Sequence, residues 1–473
     1  MPIPKSRSEL IFDHAQKFAT PLRTTLGHTW AIVPEGSGRY HGYPIPSQRF
    51  EQWLAHSFHT EHSIYPGRNA LENAVRMFAA HARHSDFPTS DVFTRLGWRG
   101  DRRLPQSVLL HLANANNELV EITPHGHHIV TSESWHFLAG PAILPLPRPI
   151  DNSATLRDHL RPLLNLDGPA LDRAIVWLFA TLRPSPPYPA LIISGPPGSG
   201  KSMLARMLRH LVDPSSTSLL MPPLTERDLF TLALHHHILA FDHARALPAR
   251  IIDSLARIST GAGLGLCRRN IFDAPEPLPL GRPILMTVPA DRRIAIGNAL
   301  RIELAPIDAP RVSTETCLAQ KLQAAAPAIL GTLCAAVTAA LSNTAATAES
   351  VSRFADVHHW TTAAAPILGL TGHQINVALA ANTIVDALHV LLDSQPEWTG
   401  TSTKLLQTLE HLGFAALAAN ATHLSEQLNS SRLELFGITQ RRTHTGSERQ
   451  IHLTLTSQVS VSSGHARGIN AVQ

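Results

Sequence analysis

A glycine-rich loop that ends in lysine and serine constrains this chain most. It follows the apolar run Leu191–Ser194 and precedes a helical pattern of apolar residues. Residues Gly195 to Ser202 fit the spacing G-x-x-x-x-G-K-[ST]. Glycines allow backbone N–H groups to point at phosphate oxygens, and the start of the following helix adds positive potential. The sequence therefore predicts a nucleoside triphosphate site on a strand–loop–helix unit.

The residue types of this loop predict specific roles. Lys201 is predicted to reach the β- and γ-phosphates, and the Ser202 hydroxyl to bind Mg²⁺. The alternative is an ordinary glycine turn before a helix. The chain has only five lysines in 473 residues. A chance match to this motif is therefore rare, on the order of one in a few hundred chains of this composition. The residues predicted to contact ATP are Gly195, Pro196, Pro197, Gly198, Ser199, Gly200, Lys201, Ser202 and Met203.

Two later strands end in polar residues that suit the same site. The apolar stretch His236–Phe241 ends at Asp242, and a carboxylate at the end of a strand beside such a loop can hold the water shell of Mg²⁺. A strand that merely ends in aspartate is the alternative. His243 follows where many ATPases have a second carboxylate, so the catalytic base stays unassigned. Thr287 ends the next strand and is predicted to sense the γ-phosphate. Lys201, Asp242 and Thr287 are thus the predicted catalytic residues.

Length and segment composition predict an α/β multidomain chain. The proline-rich stretch 140–149 is predicted to be a semi-rigid linker. The expected units are an α+β accessory domain (1–148), a P-loop ATPase with a parallel sheet (149–312), a helical region (313–390), a winged-helix-like domain (391–456) and a polar disordered tail (457–473).

Composition indicates a soluble cytoplasmic protein. Apolar residues make up 44% and charged residues 16%, and 40 basic against 36 acidic residues give a net charge of +4, which is weak evidence for nucleic acid. Three scattered cysteines exclude a disulfide framework and fit a reducing compartment. The charged N-terminus predicts no signal peptide. The 28 histidines include clusters at 127–128, 235–237 and 358–359, which we interpret as non-ligands because no carboxylate or cysteine partner stands at ligand spacing.

One uncharged stretch, Ala324 to Ala348, is long enough to cross a membrane. It is rich in alanine and threonine, and Pro327 lies within it. Its larger apolar residues fall on one helical face, as a packed helix requires. We therefore expect a buried helix and no membrane partner; the residues of that face are Leu330, Leu333, Val337 and Leu341.

The C-terminal part combines two helical segments with a basic turn. Residues 403–412 and 422–428 are predicted helices, and strands at 433–438 and 449–455 flank a turn that carries Arg441 and Arg442. This order favours a winged helix that binds DNA. A small packing domain is the alternative, and both stay open at this point.

The order of these pieces resembles bacterial ATP-binding proteins of prophages and integrative elements, which are related to superfamily 3 helicases and phage primase–helicase ATPases of the AAA+ class. The resemblance spans nearly the whole chain and is most specific between residues 190 and 307. The residues that carry it are Gly195–Ser202, Leu239–Asp242, Asp253–Gly263, Arg282–Thr287 and Leu304–Ile307, with weaker likeness at Val120–Gly126, Leu144–Pro149 and Glu397–Leu406.

The resemblance implies a motor that moves on DNA. In that family ATP hydrolysis within a homo-oligomeric ring, expected to be a hexamer, moves a hairpin along single-stranded or forked DNA. Arginines in such a hairpin bind phosphates whatever the base sequence. Whether a separate primase is also a partner stays open. The matching positions of this chain are Thr260, Gly261, Gly263, Arg268 and Arg269.

Two positions depart from the family pattern. Thr287 stands where an asparagine is usual, and Asn298 where an arginine is expected. An arginine that acts across a subunit interface contributes roughly 10³-fold or more to turnover. Arg292, Arg293 and Arg301 are alternatives that spacing does not distinguish. Hydrolysis by this chain is therefore expected to be weakened.

Three hypotheses follow. The first is an ATP-dependent DNA helicase or translocase of a mobile element, acting in replication with ATP and Mg²⁺. The second is a slow or inactive ATP-binding switch that accompanies DNA as a regulatory accessory. The third, a P-loop kinase, is disfavoured because no arginine-bearing lid pattern follows the loop.

Overall fold

The computed structural model divides into two compact units, residues 1–379 and 380–473. The boundaries expected at 148, 312, 390 and 456 stay predictions, and the tail 457–473 lies outside the described residues. The structure describes residues 4–24, 27–35, 39–84, 87, 89–131, 136–137, 142–166, 168–261, 263–266, 276–292, 294, 296, 299–307, 313–343, 354–380, 384–412, 418, 420–430, 433, 438–445 and 448–455.

The first unit begins with three helices on a small antiparallel sheet. The helices are α1 (Arg7–Phe18), α2 (Gln48–His62) and α3 (Arg68–His84), and the strands, in sheet order, are β1 (Thr20–Arg23), β2 (Thr29–Glu35) and β3 (Arg39–Pro44). Helix α1 was not predicted. It begins at a capping box, because the Ser6 hydroxyl accepts from Glu9 N and the Glu9 carboxylate accepts from Ser6 N. Phe50, Leu54 and Phe78 lie fully buried in this core.

A four-stranded antiparallel sheet follows. Its strands are β5 (Leu96–Gly100), β6 (Pro105–His111), β7 (Glu118–Thr123) and β8 (Gly126–Thr131), while β4 (Val92–Phe93) pairs with β9 (His136–Phe137). The predicted hairpin around Pro124 is confirmed as β7–β8. The apolar residues of β6 and β7 share one core cluster with helices that follow residue 148.

The central sheet is parallel, as predicted. In spatial order its strands are β11 (Leu239–Phe241), β14 (Ile284–Pro289), β10 (Ala190–Gly195) and β15 (Ala299–Glu303). Helices cover both faces, so the strands are apolar on both sides. Ile192 and Met286 pack with α7 (Glu226–His235) and α8 (Ala249–Thr260). Leu191 and Ile193 pack with α5 (Gly168–Ala180) and α6 (Lys201–His210) on the opposite face.

The helical region predicted before and after this sheet is present. Helix α4 (Leu156–Leu164) precedes α5, and the two separate at Asn165, which has a positive φ of 45°. After the sheet come α9 (Glu315–Ser342), α10 (Ala355–Ala363), α11 (Ala365–Leu368) and α12 (Gly372–Leu379). Helix α9 is long and apolar enough to cross a membrane by length and composition, but 61% of its most apolar window is buried inside the structure. Leu330, Leu333, Val337 and Leu341 are all buried, as predicted.

The second unit contains three helices and a three-stranded antiparallel sheet within its described residues. The helices are α13 (Ile384–Ser394), α14 (Ser402–His411) and α15 (Ala421–Ser430), and the strands, in sheet order, are β16 (Glu397–Gly400), β18 (Glu448–Leu455) and β17 (Ile438–Thr445). The basic turn is shorter than the sequence predicted. Arg441 and Arg442 lie inside β17, paired with His452 and Ile451, because the ladder with β18 continues to Thr445.

Two buried histidines of the first unit make its stability depend on pH. Burial lowers the pKa of His111 to about 3 and that of His237 to about 4. A histidine whose folded pKa lies below its unfolded value of 6.5 stabilises the fold above pH 6.5, and that contribution is lost as pH falls. Each should remove about 1.4 kcal/mol of unfolding free energy per pH unit below that point.

The measurement is urea unfolding at pH 7.0 and 5.5. His237 Nε2 donates to the Thr181 carbonyl at 2.8 Å when the ring carries its proton there, and a glutamine amide can donate to the same oxygen. We expect the unfolding free energy of His237→Gln to depend less on pH, because about one proton fewer is taken up on unfolding. The exposed His125→Gln is the control, and an equal slope in both variants would contradict the assignment.

Candidate active site

The loop between β10 and α6, which we call the glycine loop (residues 195–200), needs glycine at its two ends. Gly195 has φ 154° and Gly200 has φ 81°, conformations that side chains disfavour. A Cβ at Gly195 would lie 2.7 Å from the Leu304 carbonyl oxygen and 2.8 Å from Ser199 Oγ. The loop is therefore packed closely against the segment that follows β15.

Helix α6 begins at this loop without a side-chain cap. Its N-cap is Gly200, whereas α1, α2 and α4 begin at a serine or threonine whose side chain accepts a backbone hydrogen bond. The first N–H groups of a helix have no partner within the helix, and together with the helix dipole they favour an anion. The glycine loop thus ends in a helix start that can bind phosphate oxygens.

Lys201 lies folded over the glycine loop. Its Nζ donates to the carbonyl oxygens of Gly195 at 2.8 Å and Pro196 at 2.6 Å. Burial lowers the pKa of this ammonium, and the charge of Asp242 opposes the shift. The structure therefore places one cation directly beside the uncapped helix start.

The start of α6 and the strands β11 and β14 bring Ser202, Asp242 and Thr287 together at the carboxyl end of the parallel sheet. Ser202 Oγ donates to Asp242 Oδ1 at 2.8 Å. Thr287 Oγ1 donates to the same carboxylate oxygen at 2.5 Å and accepts from His243 N at 2.8 Å. A hydroxyl and a carboxylate are oxygen ligands of the kind that Mg²⁺ prefers. Thr287 is 1% exposed, so in this structure its hydroxyl orients Asp242.

The predicted DNA-contacting residues lie elsewhere. Thr260 ends α8, Gly261 follows with φ 86°, and Gly263 begins β12 (Gly263–Leu266). Strand β12 pairs antiparallel with β13 (Glu276–Pro279), so the implied hairpin has its two strands. Arg268 and Arg269 fall in the segment between them, outside the described residues.

The positions considered for a transition-state arginine are only partly described. Asn298 and Arg293 lie outside the described residues. Arg301 Nη2 donates to the Ile294 carbonyl at 2.7 Å, within the same chain. Arg292 is exposed and has the carboxylate of its neighbour Asp291 at 3.6 Å.

Asp213, which sequence reasoning missed, connects two segments that position the site. Its Oδ1 accepts from Arg95 Nε at 3.2 Å, and its Oδ2 accepts from Ile238 N at 3.1 Å. These bonds connect the residues after α6 with the start of β11. Arg95 also donates to the carbonyls of His111, Leu144 and Pro214. The only sequence signal was Asp213-Pro214, which indicated a helix end and nothing more.

Charge partners decide the ionisation of this buried carboxylate. Burial by itself raises the pKa of Asp213, but the charges of Arg95 and Arg209 and the hydrogen bond from Ile238 N lower it by more. The net pKa lies below its ordinary value of 3.8. Asp213 is therefore ionised at neutral pH while only 4% exposed, and it depends on Arg95 for compensation.

Solved structures share low similarity with this chain. The A-form apo structure of the NrS-1 C-terminal region is 12% identical, covers 96% of this chain and 100% of that chain, and has a TM-score of 0.38. A second apo structure of that region is 10% identical, has the same coverages and has a TM-score of 0.37. The structure of JCV helicase with a bound compound is 16% identical, covers 46% of this chain and 70% of that chain, and has a TM-score of 0.24. None of the curated proteins matches.

A family model gives the more informative match. Residues 158–381, just under half of the chain, match the family described as actinomycete integrative conjugative element replication protein. The matched segment includes the parallel sheet, the glycine loop and most of the helical region. The predicted resemblance to proteins of integrative elements is thereby confirmed. Over this segment the chain is similar to the replication proteins of actinomycete integrative conjugative elements.

Proposed function

We propose that the glycine loop, Lys201, Ser202 and Asp242 form a site for ATP and Mg²⁺. The observation that carries the proposal is the hydrogen bond from Ser202 to Asp242, made beside an uncapped helix start and a lysine ammonium. In open α/β sheets, ligands bind at the carboxyl ends of the strands, where these groups lie. The nucleotide would contact residues 195–203.

Each side chain of the site has a definable task. Lys201 would exchange its two loop carbonyls for phosphate oxygens, which supply more negative charge. Ser202 and Asp242 would hold Mg²⁺, whose chemistry is to neutralise charge on the phosphates. Thr287 keeps Asp242 in one orientation through its hydroxyl. Hydrolysis then rests on positioning and electrostatics, which is usual for phosphoryl transfer.

We further propose an AAA+ type ATPase that acts as a DNA helicase or translocase during replication of a mobile element. The family match to replication proteins supports the role in replication. The position of β14 between β10 and β11 supports the ATPase arrangement, because it places Thr287 between the two metal-binding groups. The β12–β13 hairpin would contact single-stranded or forked DNA within a homo-oligomeric ring in the cytoplasm, with a separate primase as an open partner.

The second unit is proposed to bind DNA as a winged helix. Helices α14 and α15 are followed by the β17–β18 hairpin, which β16 extends to three strands. Arg441 is exposed on β17, and Arg442 Nη2 donates to the Ser425 carbonyl at 3.2 Å. Exposed arginines contact phosphates and give affinity that depends on salt.

The test is the ATPase rate of the full chain with and without single-stranded DNA. A motor should be stimulated by DNA about tenfold or more, because its energy use is coupled to the strand. Arg441→Gln should weaken DNA binding and lower the salt slope by about one. The exposed Arg68→Gln is the matched control. A rate that DNA does not change would contradict the motor.

A slow nucleotide switch is the second candidate. Two observations favour it, since the Thr287 hydroxyl is already bonded to Asp242 and His243 N, and Arg301 is bonded to its own chain. In that case, calorimetry would detect ATP binding with Mg²⁺ while phosphate release stays at background with and without DNA. Turnover that DNA stimulates would exclude the switch.

A further inference from the structure

Helix α1 and the last turn of α2 bring three metal-binding side chains together, far in sequence from the glycine loop. They are His14 on α1 and Glu61 and His62 at the end of α2. One ligand atom from each of these three side chains lies within 4.8 Å of the other two. Two imidazoles and one carboxylate form a donor set that suits a transition metal.

His14 carries the strongest signal. Its side chain is 2% exposed, and its Nε2 lies 2.8 Å from Ser57 Oγ. Its Nδ1 has no hydrogen-bond partner within the described residues, although it lies 2.7 Å from Glu61 Oε2. With Nε2–H donating to Ser57, Nδ1 presents a lone pair to a carboxylate oxygen. In the other tautomer Nδ1–H donates to Glu61 Oε2, whereas in this one the two facing acceptors, His14 buried and Glu61 34% exposed, are satisfied by a cation that both bind.

Glu61 and His62 complete the grouping. Glu61 Oε1 accepts from Lys17 Nζ at 2.7 Å, which fixes the carboxylate and leaves Oε2 directed towards His14. His62 Nε2 lies 4.0 Å from Oε2, and its ring packs on Phe58 with centroids 4.4 Å apart. A hydrogen bond to the second oxygen of a ligating carboxylate is a usual feature around metal ions.

We propose that His14 Nδ1, Glu61 Oε2 and the His62 imidazole bind one Zn²⁺. Zinc is commonly held by three such ligands with a fourth position left to water. Ligand atoms on one tetrahedral zinc are about 3.4 Å apart, so the His14 Nδ1–Glu61 Oε2 pair, now 2.7 Å apart, has to open slightly, and His62, now 4.0 Å from Oε2, has to turn towards it. Its side chain is 46% exposed and free to do so. The ion connects α1 to the C-terminal end of α2.

The test is zinc binding by tag-free, metal-free full-length protein in competition with a coloured chelator. Wild type should bind one tight equivalent, and Co²⁺ should give the visible absorption of a tetrahedral site. His62→Ala and Glu61→Gln should each weaken binding by about tenfold or more. The control is His56→Ala, an exposed histidine on the same helix, which should bind as wild type does.

The proposal is overturned if wild type takes up no tight equivalent. It is also overturned if His62→Ala and Glu61→Gln bind as tightly as His56→Ala, because the other histidines of the chain would then hold the metal. These outcomes do not depend on ATP or DNA.

Discussion

Replacing Lys201 with alanine should lower ATP turnover by about 10²–10³-fold. The Lys201 ammonium already lies at the glycine loop, bonded to the carbonyls of Gly195 and Pro196, so it is positioned before any phosphate arrives. Such a preorganised charge acts where negative charge develops during phosphoryl transfer. The measurement is phosphate release by the full chain at saturating ATP and Mg²⁺, together with the nucleotide Kd from calorimetry.

The controls separate this effect from a loss of folding. Lys321→Ala removes an exposed lysine on α9 and should leave turnover unchanged. Lys201→Ala should unfold in urea within about 0.5 kcal/mol of wild type, because a side chain outside the core contributes little. If Lys201→Ala hydrolyses ATP at the wild-type rate, the glycine loop does not hold the reacting phosphates, and both the motor and the switch lose their basis.

Asp213→Ala should lower the free energy of unfolding by about 3–5 kcal/mol. The substitution leaves the Arg95 guanidinium buried at 1% exposure without its carboxylate, and it removes the acceptor for Ile238 N. An uncompensated buried charge costs far more than the pair contributes. Urea unfolding at pH 7 is the measurement, with Asp253→Ala, an exposed aspartate on α8, as the matched control.

The pH dependence and a double variant test the cause. Because the folded pKa of Asp213 lies below 3.8, its contribution is present above about pH 3.8 and is lost as pH falls through the lower folded value. Arg95→Met combined with Asp213→Leu should recover most of the loss, since apolar replacement of a buried pair is often neutral. Two single losses that simply add would show that the pair does not interact.

Local signals explain what the sequence predicted well. The strand, glycine loop and helix at 190–210 follow from glycine spacing and apolar periodicity within twenty residues. The same holds for the β7–β8 hairpin and for the strand before Asp242. Helix α9 was predicted to be packed because its large apolar residues share one face, and that face is buried.

The errors and omissions depend on contacts between distant residues. The pairing of Arg95 with Asp213 joins residues 118 positions apart, and no local pattern marks it. The γ-phosphate role of Thr287 stays a prediction, but no local pattern indicated its hydrogen bond to Asp242, a partner from another strand. Strand β16 was missed because four residues gain strand geometry only by pairing with β18. Arg441 was placed in a turn because its polar neighbours resemble one.

The order of the central sheet has a mechanical consequence. Strands β10 and β11 are both neighbours of β14 and not of each other, so their axes lie about 10 Å apart. The Ser202–Asp242 contact therefore spans the end of β14. Only residues 280–283 separate β14 from β13, one arm of the β12–β13 hairpin. A force that displaces this arm would act on β14, and Thr287 bonds that strand to Asp242. Movement of the hairpin would then shift the carboxylate that is proposed to hold Mg²⁺.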